Sequence, residues 1–277
     1  MREVKEIIQG LPASDGDGVK LTRVIGTPKL DMLDPFLMLD AFGSDSPQDY
    51  LGGFPAHPHR GFETVTYILN GRMRHKDNAG HEGVIEEGDV QWMSAGRGII
   101  HSEMPEQEQG LLKGFQLWIN LPAVQKMSDP RYQEYVSEDL PIETNEAGSH
   151  IKVIAGETDQ NTKGPIEAEA TAPIYFDINL KAGDHFTQSI PKGHNTALYI
   201  IEGDLFVGTK ETLVKEDQLA ILKDGDTISV KAMGQDARFL LLAGKPLNEP
   251  VARGGPFVMN TKAEILQAFQ DYNDGKF

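Results

Sequence analysis

Residues 53–71 read Gly-Phe-Pro-Ala-His57-Pro-His59-Arg-Gly-Phe-Glu63-Thr-Val-Thr-Tyr-Ile-Leu-Asn-Gly71. The β-branched and aromatic residues that follow Glu63 predict a β-strand, and the closing Asn-Gly pair predicts a tight hairpin turn. His57 and His59 are separated by one residue, and in an extended chain that spacing sends both side chains to the same face. The segment therefore predicts an antiparallel β-barrel in which two imidazoles point to one side of a strand.

A second pair with the same spacing, His101-Ser102-Glu103, follows a glycine-rich loop. On a neighbouring strand it would meet the first pair, so that three imidazoles and one carboxylate surround a single point. Such a ligand set suits a borderline divalent metal ion and leaves open positions for other ligands. Glu63 has the same parity as the first histidine pair and competes with Glu103 for the carboxylate position; the carboxylate that is not a ligand could orient an imidazole. Spacing alone does not decide between them.

The composition limits the class of protein. The chain has 277 residues, enough for two domains that each bury a core, and it contains no cysteine, which excludes thiolate sites and disulfides. The net charge of −16 opposes the neutralisation of phosphates on which nucleic-acid binding depends. No apolar run is long enough to predict a membrane span. We therefore expect a soluble, monomeric protein of the cytoplasm, or of the nucleus in a eukaryote, without direct contact to nucleic acid or membrane.

An internal repeat indicates that the chain is duplicated. Thr64–Gly71 resembles Thr196–Gly203, an offset of 132 (196 minus 64), and Glu87–Asp89 falls near Lys215–Asp217, an offset of 128 (215 minus 87). We predict an all-β protein with two tandem barrels, the metal-binding one in residues 1–136 and the other in residues 137–277. A capping box at Thr261–Glu264, followed by apolar residues at helical spacing, predicts a short helix at the end of the second half.

The second copy is not expected to bind metal. Applying the two offsets to the ligand positions and to Glu63 gives residues that cannot form a site: Ser189, Pro191, Asn195, Ser229 and Lys231. We predict that the second barrel is structural or binds a partner. The histidines outside the two pairs lie near turns or polar stretches and are predicted at the surface: His75, His81, His150, His185 and His194.

Four blocks of the chain resemble the pirin family of the cupin superfamily: residues 53–71, 88–105, 117–121 and 255–260. This resemblance implies two cupin barrels, each a jelly roll or double-stranded β-helix. It also implies one iron(II) ion in the N-terminal barrel, held by His57, His59, His101 and Glu103, with Glu63 in a supporting role. Manganese, nickel, copper or zinc would suit the same ligands.

The resemblance also implies an activity. Many pirin-like proteins resemble quercetin 2,3-dioxygenases, which would make this chain a metal-dependent dioxygenase that cleaves flavonols such as quercetin with dioxygen. Glu103 is then a candidate catalytic base. The alternative is an iron-dependent redox-sensing regulator that acts through protein partners, as a transcription cofactor or a modulator of metabolic enzymes, without turnover. An isomerase or sugar-binding cupin with a structural metal is a third, weaker hypothesis.

A substrate pocket beside the ligands would need apolar walls. The apolar residues that flank the ligand strands are candidates, although barrel core explains each of them as well. These predicted wall residues are Phe54, Val65, Met73, Trp92, Met93, Met104 and Phe115.

Overall fold

A computed structural model describes residues 1–277, almost all of the regular structure being antiparallel strands. The first twelve strands are β1 (Val4–Gln9), β2 (Leu11–Asp15), β3 (Val19–Ile25), β4 (Phe36–Ser44), β5 (Phe54–His59), β6 (Phe62–Asn70), β7 (Met73–Asp77), β8 (Glu82–Ile85), β9 (Val90–Ser94), β10 (Ile99–Pro105), β11 (Leu112–Asn120) and β12 (Arg131–Tyr135). The alternation of buried and exposed residues typical of a barrel strand is clearest in β7, where Met73, His75 and Asp77 are buried and the residues between them are exposed.

The second half repeats this pattern. Its strands are β13 (Ile142–Thr144), β14 (His150–Ala155), β15 (Ile174–Leu180), β16 (His185–Ser189), β17 (Asn195–Glu202), β18 (Leu205–Val207), β19 (Thr212–Val214), β20 (Gln218–Leu222), β21 (Thr227–Ala232), β22 (Ala237–Gly244), β23 (Ala252–Gly254) and β24 (Phe257–Met259). Short 3₁₀ helices lie at Pro47–Asp49, Ala123–Gln125 and Ser137–Asp139.

One α-helix, α1 (Lys262–Asn273), follows the strands. It begins with the predicted capping box, in which the Thr261 side chain accepts a hydrogen bond from the Glu264 backbone amide and the Glu264 side chain accepts one from the Thr261 amide. None of the helices combines the length and the apolar character that crossing a lipid bilayer requires. The prediction of an all-β protein with a short C-terminal helix is confirmed.

Each barrel consists of a seven-stranded and a four-stranded sheet. In the first barrel the orders are β12-β9-β6-β11-β4-β3-β2 and β5-β10-β7-β8; in the second they are β1-β20-β17-β22-β15-β14-β13 and β16-β21-β18-β19. Every strand of the first barrel has a counterpart at the same place in the second. The duplication inferred from two short sequence repeats therefore extends over both whole sheets, and the prediction of two cupin barrels is confirmed.

The compact units of the structure do not coincide with the predicted domains, residues 1–136 and 137–277. The unit with the first barrel comprises Leu11–Thr27, Phe36–Ser137 and Leu247–Phe277, and the other unit comprises Met1–Gly10, Pro28–Pro35 and Glu138–Pro246. β1 belongs with the second barrel because it pairs with the edge strand β20. The helix α1 belongs with the first, because Ile265 and Ala268 bury their apolar side chains against Phe257 and Met259. The compact unit that contains α1 is therefore the one with the first barrel.

The two barrels are filled differently. Apolar side chains pack throughout the second barrel, in a core that includes Phe176, Leu198, Ile228, Val230 and Leu241. In the first barrel the inward-facing apolar residues form a smaller cluster: Leu21, Phe42, Tyr50, Ile68, Met73, Ile85 and Leu112. A cavity of about 640 Å³ opens beside this cluster.

Candidate metal centre

The strands β5 and β10 bring the three predicted histidines together. They pair antiparallel, with His101 opposite His57 and Ile99 opposite His59. The ligand nitrogens of His57, His59 and His101 all lie within 4.8 Å of one another, and the Nε2 atoms of His57 and His59 are 3.0 Å apart. The three imidazoles of the two i, i+2 pairs thus converge.

Burial keeps the imidazoles of His59 and His101 neutral. His59 and His101 are 4% and 2% exposed. Burial, together with the neighbouring imidazoles, lowers the pKa of His59 well below its usual value. Burial likewise lowers the pKa of His101 to about 4, although the carboxylate of Glu103 opposes this change. Neutral imidazole is the form that binds a metal ion.

The hydrogen bonds around the cluster fit a bound cation. Both ring nitrogens of His101 are buried without a hydrogen-bond partner, which is rare in proteins unless an ion or water completes the site. Nδ1 of His57 lies 2.8 Å from the carbonyl oxygen of Pro55, and Nδ1 of His59 lies 3.4 Å from that of Pro256. A proton on each Nδ1 would be donated to these carbonyls, and the lone pair of each Nε2 would then face the centre.

Glu103 lies on the wall of the same cavity. It is 4% exposed, and its Oε1 atom is 2.7 Å from Oγ1 of Thr66, which in turn lies 2.8 Å from the side-chain amide of Gln116. Glu103 lines the cavity with His57 and His59 but is not one of the groups within the 4.8 Å cluster. Sequence reasoning missed Thr66 and Gln116; the available signal was a polar residue at an inward position of a strand.

Glu63 is not part of the histidine cluster. The chain turns at Gly61, whose φ is +88°, so the alternation counted from His59 does not continue to Glu63. Glu63 lies opposite Ser94 and Ile119 and is 2% exposed. Burial raises the pKa of its carboxyl group, while Trp92 and Ser94 act in the opposite direction. The equal parity expected for His57, His59 and Glu63 was therefore wrong.

The cavity beside the histidines has walls from β3, β4, β11 and the segment before β24. Its apolar lining residues include Leu21, Met38, Phe42, Phe54, Trp118 and Val258. Trp118 also contacts the His59 ring edge to face, with 5.3 Å between the ring centroids. The cavity is large enough for a molecule of several fused or linked rings.

Only Phe54 of the seven predicted wall residues lines this cavity. Val65 and Phe115 are the direct neighbours of Thr66 and Gln116, and the alternation of strand side chains turns them to the opposite face. Trp92 pairs with Val65 and shares that face. Met73 packs in the same apolar cluster as Leu21 and Phe42 without lining the cavity, Met93 belongs to another cluster, and Met104 packs beside Gly53. The predicted residues were chosen by proximity in sequence to the ligands, whereas most walls of this cavity come from β3, β4, β11 and the segment around β24.

The remaining histidines differ in their exposure to solvent. His81 and His185 are exposed, as predicted, and His150 is half-buried. His75 and His194 are only 2% and 8% exposed, so their predicted surface position was wrong. His75 occupies an inward position of β7, where its Nε2 lies 3.1 Å from Oε1 of Glu134.

Strand pairing identifies the true counterparts of the ligands in the second barrel. Ile228 lies opposite Gln188, as His101 lies opposite His57, and Val230 takes the place of Glu103. The offsets in sequence had pointed to Ser229 and Lys231, one residue further along. Ile228 and Val230 face inward and belong to the apolar core.

The duplicated barrels and the buried histidine cluster define the class of the protein, a bicupin whose first barrel could hold a metal ion. Family models agree with this class: the Pirin model matches residues 18–119, and the model of the Pirin C-terminal cupin domain matches residues 175–277. The chain belongs to the pirin family.

Individual relatives cover almost the whole chain. It is 53% identical to a pirin-like protein of Caulobacter vibrioides, covering 100% of this chain and 99% of that protein. It is 44% identical to human pirin, covering 95% of this chain and 89% of that protein. Among solved structures, a quercetin 2,3-dioxygenase from Acinetobacter baumannii has a TM-score of 0.92 and 39% identity, covering 100% of this chain and 98% of the other.

Proposed function

We propose that this protein is a metal-dependent dioxygenase of the quercetin 2,3-dioxygenase type, with one iron(II) ion bound by His57, His59, His101 and Glu103. The observation that carries the proposal is a cluster of three imidazoles, of which those of His59 and His101 are buried, beside a cavity of about 640 Å³ that His57 and His59 line. The similarity to a bacterial quercetin 2,3-dioxygenase over the whole chain supports the same reaction.

When bound, a divalent ion would supply Lewis acidity and a template for a hydroxy-ketone such as the 3-hydroxyl and 4-keto groups of a flavonol. The side chains of the protein have two tasks beside it. The apolar walls, including Met38, Phe54 and Trp118, surround the flat rings and exclude water. Glu103 would accept the proton of the 3-hydroxyl group, and for this its carboxylate would have to leave the metal transiently. Thr66 contacts Oε1 of Glu103 and would hold the carboxylate during that exchange.

The reaction can be tested directly. The protein is reconstituted with iron(II) without oxygen, quercetin is added, and oxygen is then admitted. We expect loss of the flavonol absorbance and release of carbon monoxide. His101→Ala should bind little iron and lose turnover by at least a hundredfold, because it removes one of three imidazole ligands. His185→Ala, which changes an exposed histidine of the second barrel, serves as the matched control.

An intact flavonol in the presence of fully iron-loaded protein would exclude the dioxygenase. If the ferrous and ferric forms then bind a protein partner with different affinities, the regulatory alternative is supported instead.

A further inference from the structure

A row of polar side chains crosses the inner face of the seven-stranded sheet of the first barrel. Thr66 lies opposite Gln116, Gln116 lies opposite Asp40, and Asp40 lies opposite Arg23. With neighbouring strands about 4.8 Å apart, the row extends roughly 14 Å from β6 to β3. Gln116, Asp40 and Arg23 line the cavity, and Thr66 connects the row to Glu103.

The row offers hydrogen-bond acceptors more than free positive charge. Nε and Nη2 of Arg23 lie 2.9 and 2.7 Å from the two carboxylate oxygens of Asp40, and Nη2 also lies 2.9 Å from Oδ2 of Asp15. One guanidinium is therefore balanced by two carboxylates. A ligand with a carboxylate of its own would meet a net negative charge here.

Gln116 presents its amide N–H groups to the cavity. Oγ1 of Thr66 lies 2.7 Å from Oε1 of Glu103 and 2.8 Å from Oε1 of Gln116, so the amide oxygen of Gln116 is directed to Thr66. The amide nitrogen is then directed away from Thr66, on a side chain that is partly exposed to the cavity, where its two hydrogens can be donated to a ligand.

Apolar rows flank the polar one. On one side Trp118 lies opposite Met38, and on the other Gly114 lies opposite Phe42. A flat aromatic ring could lie against these rows with its substituents toward the polar residues between them.

The second barrel shows that the fold does not require such a row. At the same positions Leu198 lies opposite Leu241, Leu241 opposite Phe176, and Phe176 opposite Val153. All four belong to the apolar core. The polar row therefore occurs only in the barrel that carries the histidine cluster. Since buried polar groups stabilise a fold less than well-packed apolar ones, a ligand in the cavity explains the row better than folding does.

We propose that Gln116, Asp40 and Arg23 form a specificity surface for the phenolic hydroxyl groups of a planar polyphenol, on the part of the molecule remote from its metal-binding end. This inference rests on the proposed function and specifies its substrate class. A hydroxyl group both donates and accepts, so it can accept a hydrogen bond from the amide N–H of Gln116 and donate one to the carboxylate of Asp40. Neutral polyhydroxylated rings are preferred over rings that carry a carboxylate.

The test compares quercetin with 3-hydroxyflavone, which keeps the hydroxy-ketone but lacks every other hydroxyl group. The protein is loaded with zinc, which does not change oxidation state, and dissociation constants are measured from the absorbance change of each flavonol. We expect the wild-type protein to bind quercetin about tenfold more tightly than 3-hydroxyflavone. In Gln116→Leu the ratio should fall to about twofold, since the amide N–H groups that would bond to a hydroxyl are removed.

Two further variants isolate the effect. Asp40→Asn keeps the shape of the row and should also reduce the ratio, whereas Gln125→Leu, an equal change at an exposed position away from the cavity, should leave it unchanged. Equal affinities for the two flavonols in the wild-type protein, or an equal loss of both in Gln116→Leu, would overturn the inference and leave the dioxygenase proposal intact. Failure to bind either flavonol would overturn both.

Discussion

At the scale of single residues, Lys126 shows how the ligand strand is anchored. Its side chain is almost fully buried, and Nζ donates hydrogen bonds to the carbonyl oxygens of Gly61 and Val258, at 2.7 and 3.0 Å, and to Oδ1 of Asn120, at 2.6 Å. One ammonium group thus joins the turn after His59 to β24 and to the end of β11. Burial lowers the pKa of Lys126 to about 8, because the charged form loses its hydration.

This pKa predicts a dependence of stability on pH. The unfolded chain, with an ordinary lysine pKa near 10.5, binds more protons than the native protein above about pH 8, so the contribution of Lys126 to stability rises with pH in that window. Between pH 8 and pH 10 the free energy of unfolding of the wild-type protein should increase by about 2 kcal/mol relative to that of Lys126→Met. Urea denaturation at each pH measures the difference.

The control for this experiment is Lys192→Met, which removes a lysine that is 75% exposed. Its stability profile should run parallel to that of the wild-type protein. Parallel profiles for Lys126→Met as well would show that the native pKa of Lys126 is not lowered.

At the scale of secondary-structure elements, the helix α1 and the chain after it hold the end of β5. Arg60 follows directly after His59 and is 3% exposed. Its Nη1 lies 2.8 Å from Oδ2 of Asp271 in the helix, its guanidinium lies 4.4 Å from the ring centroid of Phe277, and its Nε donates to the carbonyl of Arg97. Arg97 is in the loop that leads to β10. Arg60 therefore links the two ligand-bearing strands to the helix, as a positioning residue.

We expect Arg60→Met to lower the affinity for a divalent metal by about three- to tenfold, because His59 and His101 lose part of their relative positioning. Isothermal titration with zinc measures the change. Arg74→Met is a matched control, since Arg74 forms only exposed ion pairs with Glu82 and Glu106, and such pairs contribute little. Equal affinities of the two variants would contradict a positioning role for Arg60.

At the scale of the whole molecule, each end of the chain belongs to the unit whose barrel is farther from it in sequence. Residues 247–277 belong to the unit with the histidine cluster, and β1 belongs to the other. The carbonyl of Pro256 that contacts His59, and the buried residues Phe257, Val258 and Ile265, are far in sequence from the first barrel. A complete metal centre therefore needs the C-terminal end of the chain as well as the first barrel.

This division predicts the behaviour of fragments. A fragment of residues 11–137 should fold poorly and bind zinc at least tenfold more weakly than the full chain, because it lacks Pro256 and exposes the apolar surface that α1 covers. Addition of a peptide of residues 247–277 should restore binding, and a scrambled peptide of equal composition should not. Native affinity in the fragment alone would show that the C-terminal segment is dispensable for the site.

The residues that could be predicted share a local signal. His57, His59 and His101 were found because an i, i+2 pair within one strand keeps its parity, and the capping box of α1 was found because its residues are three apart. Glu63 was misjudged because Gly61 turns the chain between it and His59. The counterparts of the ligands in the second barrel were missed by one residue, and a shift of one residue moves a strand side chain to the opposite face.

The sequence by itself thus determined the duplicated all-β architecture and the three histidines, since both depend on patterns within short segments. Only the tertiary structure decided which side chains surround the histidines: the polar row from Thr66 to Arg23, the apolar walls from β3 and β4, and the support from Pro256 and α1. These partners come from strands and loops distant in sequence. Their contacts depend on the register between strands, which the closure of the barrel sets and no local pattern encodes.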